Sequence, residues 1–67
     1  MKVEDIKDLA ERQPFRPFTV RVNNGAQYRF SESRNLGAPE DYHLIVFFGK
    51  SELVLIDTEN ITEIIEG

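Results

Sequence analysis

Apolar residues first recur at helical spacing. Val3, Ile6, Leu9 and Ala10 share one stripe, with Lys2, Glu4, Asp5, Lys7, Asp8, Glu11 and Arg12 around it. Glu4 and Asp5 suit the positive end of a helix dipole, Arg12 suits the negative end, and Asp8–Arg12 is a favourable i,i+4 pair. Pro14 restricts Gln13, so the pattern predicts a helix over 3–13. The period then changes to two. Phe18, Val20 and Val22 alternate with Thr19 and Arg21, and Tyr28 and Phe30 alternate with Gln27 and Arg29. Strands are expected at 18–22 and 26–30, joined through Asn23-Asn24-Gly25. A two-residue turn at Asn24-Gly25 would pair Val22 with Gln27 and mix the faces. A three-residue loop with Gly25 left-handed pairs Val22–Ala26, Val20–Tyr28 and Phe18–Phe30, keeping the apolar side chains together. Residues 31–42 have no period and read as a loop holding at most one helical turn. Strands follow at 43–48, 52–56 and 61–65. Gly49-Lys50 is expected as a type II′ turn, and Asp57-Thr58-Glu59-Asn60 as a short one.

The third and fourth of these strands are apolar on both faces, which a half-exposed sheet does not need. A single three-turn helix cannot cover the outer side of three strands, and leftover apolar surface on a small protein meets a partner. Sixty-seven residues form one domain, 1–67, with a small interior. Domains of this size gain stability from disulfides, metals or association. The chain has no cysteine and one histidine, His43, so association is the route left open. No apolar run is long enough to span a membrane and residues 1–12 lack a signal-peptide core, which points to the cytoplasm.

The order of helix, five strands, long second loop and four-residue turn before the last strand resembles the Sm-like family, whose fold is an SH3-type barrel. The likeness is nearest to the bacterial Sm-like RNA chaperones. It is carried by Val22-Asn23-Asn24-Gly25 at the end of the first strand and Ile61-Thr62-Glu63-Ile64-Ile65 as the last. The resemblance implies a mainly β, five-stranded small barrel with an N-terminal helix. It also implies self-association that pairs strand four of one copy with strand five of the next, making Val54, Ile56, Ile61 and Ile64 interface candidates. The family's second strand carries a bend-permitting glycine; here the stretch is Tyr28-Arg29-Phe30-Ser31. Its turn before strand five presents a lysine and a histidine to RNA; here Thr58 and Glu59 stand there. Gln13-Pro14-Phe15-Arg16-Pro17-Phe18 also resembles the opening of a group of small uncharacterised bacterial proteins.

Charge decides against nucleic acid as the first expectation. The net charge is −4; residues 1–34 hold seven Lys/Arg against five Asp/Glu, and residues 35–67 hold one against seven. A basic surface would have to come from Arg16, Arg21, Arg29 and Arg34, with Arg21 and Arg29 on the solvent side of the first hairpin as the best patch. Pro14-Phe15-Arg16-Pro17 fits a P-x-x-P pattern, but reads better as a rigid corner between helix and strand. Asp57, Glu59 and Asn60 lack the glycine and bidentate glutamate of a calcium loop. His43 has no partner constellation, and Ser31, Ser33 and Ser51 lack a nucleophile's setting. No catalytic residue, metal or cofactor is expected. The composition therefore points to a non-enzymatic interaction or oligomerisation module, with an Sm-like RNA-binding protein as the alternative.

Overall fold

Helix α1, Val3–Glu11, opens the computed structural model, which describes residues 2–67. It carries the two carboxylates in its first turn and buries Ile6 completely, with Leu9 and Ala10 packed beside it. Full burial of an isoleucine contributes roughly 1.5–3 kcal/mol. The helix stops two residues before the expected end. Arg12 is already extended (φ −62°, ψ 138°), the Gln13–Pro14 peptide is cis, and Arg12 pairs with Glu66 at 2.9 Å rather than with Asp8.

Strands β1 (Phe18–Val22) and β2 (Gln27–Phe30) pair as Phe18↔Phe30, Thr19↔Arg29, Val20↔Tyr28 and Arg21↔Gln27. Gly25 sits at φ 90°, Val22 N–H donates to Ala26 C=O at 3.0 Å, and Ala26 N–H donates to Asn24 Oδ1 at 2.9 Å. This is the register of the three-residue loop. The chain then makes a 3-10 turn at Ser33–Asn35 and a two-residue strand β3, Leu36–Gly37. Strands β4 (Leu44–Phe48), β5 (Leu53–Asp57) and β6 (Ile61–Glu66) follow, the last two joined by a 3-10 turn at Thr58–Asn60.

The five-stranded barrel is not formed. Among the described residues six strands make two separate antiparallel sheets, ordered β2-β1-β6 and β3-β4-β5. Barrel closure needs a strand long and bent enough to belong to both sheets. β2 has four residues and no glycine, and its last side chain, Phe30, is fixed in the core. The chain therefore leaves the first sheet at Ser31, and β3, inside the segment expected to be a loop, starts the second. The turn between β4 and β5 also differs. Phe48 pairs with Leu53 and Gly49 N–H donates to Glu52 C=O at 2.9 Å, which centres the turn on Lys50-Ser51. Gly49 is not at positive φ, so no type II′ turn starts there.

The sheets meet through side chains. Phe18, Val20, Val22, Phe30 and Ile61 of the first bury against Ile45 and Ile56 of the second. Phe47 meets Phe30 edge-on at 5.3 Å and Tyr28 at 5.8 Å. Phe15, in the corner before β1, packs on Phe18 at 5.8 Å. Tyr42 completes the core from the loop before β4. It holds φ 54°, unusual for a bulky residue, and its hydroxyl donates to Glu11 Oε2 at 3.0 Å.

Candidate interaction surface

Strand parity assigns every residue of β4 and β5 to a face. Ile45↔Ile56 and Phe47↔Val54 point inward; Leu44↔Asp57, Val46↔Leu55 and Phe48↔Leu53 point outward. The outer face is therefore apolar from Leu44 to Leu53, and Asp57 at one corner is its only charge. Exposure rises toward the free edge. Leu44 and Val46 are half-buried, Phe48 is 42% exposed, and Leu53 and Leu55 on β5 are 57% and 63% exposed. The Phe48 ring lies across Gly37, where a Cβ would come within 2.8 Å of its Cε2. Glycine at that position lets the ring lie flat on the sheet.

The four residues expected at an interface take different places. Ile56 and Ile61 are buried, and Val54 and Ile64 are half-buried against the core. The apolar side chains these strands offer to solvent are Leu53, Leu55 and Ile65. The doubled apolar character of the strands was visible in the sequence. Which alternate set faced inward was not, because both sets are built of Leu, Val, Ile and Phe.

Both members of the basic pair are engaged, but only Arg21 meets a carboxylate. Arg21 is bonded to the Glu63 carboxylate across β1–β6, and Arg29 Nη1 donates to Gly67 C=O at 2.6 Å. Arg34 pairs with Glu32 at 2.5 Å. In the turn before β6, Thr58 is buried with its hydroxyl donating to His43 C=O at 2.9 Å, and Asp57 Oδ1 accepts the Glu59 N–H at 2.9 Å.

His43 does have a carboxylate neighbour. Asp41 Oδ1 lies 2.7 Å from its Nδ1 and accepts its backbone N–H at 3.2 Å. These bonds hold the Asp41 carboxyl below its ordinary range. Both side chains are exposed in a shallow depression with Pro39 and Glu40. Among the described residues no group of His, Asp or Glu has metal-binding geometry. A cleft of about 400 Å³ between α1 and β6 is lined by Asp5, Asp8, Leu9, Arg12, Ile64 and Glu66. It holds the Arg12–Glu66 pair, the half-buried Leu9 and Ile64, and the exposed carboxylates Asp5 and Asp8. No helix of the described chain is long and apolar enough to cross a membrane. Comparison with protein-family models, with curated proteins and with solved structures finds no match to this chain.

Proposed function

We propose that the chain is a non-catalytic interaction module that associates with copies of itself through the β3-β4-β5 sheet. The observation that carries this reading is the apolar outer face, with Phe48, Leu53 and Leu55 exposed on a chain of net charge −4. Two copies of an acidic protein repel each other, and only a surface almost free of carboxylates lets them touch without bringing like charges into the contact. A standard interface removes about 800 Å² per partner from water. Against a total accessible surface of 4480 Å², that is about a fifth of this molecule. Two five-residue strands and the two residues of β3, at ~3.3 Å per residue and ~4.8 Å per strand, give the outer face a plan area of only about 190 Å². Contact therefore has to include more than the face itself.

Light scattering at micromolar concentration tests the reading. The expected mass is a multiple of 7.8 kDa, and a mass of one chain refutes it. Leu53→Lys is expected to shift the equilibrium toward the single chain by about tenfold or more in Kd, with the far-UV circular dichroism unchanged because Leu53 is outside the core.

A further inference from the structure

We infer that two copies join through β5, edge to edge and antiparallel about a twofold axis at Leu55, so that two three-stranded sheets become one of six strands. The inference rests on the self-association reading and adds to it the strand, the direction and the register.

The strand is chosen by comparing the four sheet edges. An unpaired edge invites pairing, and proteins blunt it with charge, shortness, bulges or a covering element. β3 is two residues long, and β2 has Arg29 and Gln27 among its four. β6 carries Glu63 and Glu66, is irregular against β1 at Arg21/Val22, and has α1 alongside it through Arg12–Glu66. β5 has none of these protections within its own strand, and the β1–β2 loop approaches its edge only across a cleft of about 150 Å³ lined by Asn23, Asn24, Tyr28 and Leu55. The strand reads Leu-Val-Leu-Ile before Asp57, holds no proline or lysine, and keeps an unbroken register with β4.

The backbone gives the direction of the free bonds. Gly49 N–H donates to Glu52 C=O and Thr58 N–H donates to His43 C=O, at 2.9 and 3.2 Å, at the two ends of the β4–β5 ladder. By alternation the even-numbered residues of β5 bond to β4, so Leu53, Leu55 and Asp57 turn their N–H and C=O groups to the open edge. Leu53 and Leu55 are also the two most exposed large apolar side chains of the described chain. Their exposure combines the uncovered outer face with the missing neighbour strand, and a strand laid along β5 covers their flanks.

Symmetry then fixes the register. Facing residues in an antiparallel pair share a side, so odd positions must meet odd positions. Centring the axis on Leu55 opposes Leu55 to Leu55, Leu53 to Asp57 and Glu52 to Thr58, and engages the whole strand. The free groups of three residues in each copy are satisfied together, and four leucines gather on the outer side. No carboxylate stands opposite another. Centring on Val54 instead sends Asp57 to Ser51 in the hairpin turn and leaves the strand only partly paired. Glu52, Asp57 and Glu59 collect at the two ends of the joint, so association is expected to tighten as salt screens them.

The chain contains no cysteine, which makes cross-linking a clean test. An opposed, hydrogen-bonded pair stands at a Cα separation of about 5.5 Å, within reach of a disulfide. Under mild oxidant Leu55→Cys is expected to form a covalent dimer about tenfold faster, or more, than Ile65→Cys on the other sheet, because pairing raises the local thiol concentration. Leu53→Cys alone should stay uncoupled, yet couple when mixed with Asp57→Cys. If the parent scatters as a dimer while Leu55→Cys couples no faster than Ile65→Cys, this register is overturned and self-association stands. A monomeric parent overturns both.

Discussion

Tyr42→Phe removes one hydroxyl, the one that ties the loop before β4 to the end of α1 through Glu11 at 3.0 Å. Tyr42 is buried, so the bond is shielded on the tyrosine side, while Glu11 remains exposed. A bond to a charged acceptor is worth about 1.5–3 kcal/mol when both partners are buried, and a typical one about 0.5–1.5. With one partner in water the lower range applies, and a loss of about 1 kcal/mol is expected. For a chain of this length that lowers Tm by roughly 4–8 °C. Glu11→Ala and the double variant complete a cycle whose coupling should account for most of the loss. The bond also has a pH signature. Burial first, then the hydrogen bond and charge of Glu11, raise the Tyr42 phenol above its ordinary value of 10. Unfolded tyrosine releases its proton near 10, while the folded one still holds it. The contribution is therefore complete below pH 10 and is lost as pH rises from there through the raised folded value. Thermal melts followed by circular dichroism at pH 7 and across pH 9–11 read both effects. A Tyr42→Phe variant with the parent's Tm, and the parent's decline above pH 10, would refute the account.

Gly25→Val is expected to cost about 1–3 kcal/mol by urea denaturation, because a β-branched residue is strained at φ 90° while nothing crowds the position. Gly25→Asn should cost less, asparagine tolerating that region better. Short U-rich and A-rich RNAs are expected not to bind at about 150 mM salt in fluorescence anisotropy, since Arg12, Arg21 and Arg34 are each held by a carboxylate. Micromolar binding lost in Arg21→Ala/Arg29→Ala would reverse that expectation.

The elements were largely legible because each rests on a local signal. Helical spacing marks α1, alternation marks β1 and β2, and the demand for a single apolar face chooses the loop at Gly25. The assembly of those elements was less legible. Whether strands close into a barrel depends on where one of them bends, and Tyr28-Arg29-Phe30-Ser31 has no glycine to permit a sharp bend there. β3 was hidden because two residues have no period. Tyr42 was hidden because a left-handed tyrosine in a Pro- and Asp-containing loop gives no pattern of burial. On β4 and β5 the sequence announced too much apolar surface, but Leu, Val, Ile and Phe spread over both parities left the inner set unassigned.

The pairing of β1 with β6 sets an order for folding. Arg21 and Glu63, which face each other across it, are forty-two residues apart, whereas β4 and β5 are joined by a tight turn. Closing the longer loop costs roughly 2 kcal/mol more in chain entropy. The β4–β5 hairpin, like the β1–β2 hairpin with its three-residue loop, is thus a cheaper nucleus than β1–β6, and the first sheet becomes complete only when the distant β6 docks. Until the β1–β2 hairpin packs on it, Phe47 lacks its ring partners Tyr28 and Phe30, and the β4–β5 hairpin is greasy on both sides. Concentrated refolding mixtures should therefore lose material to aggregation at this stage, and dilution should recover it.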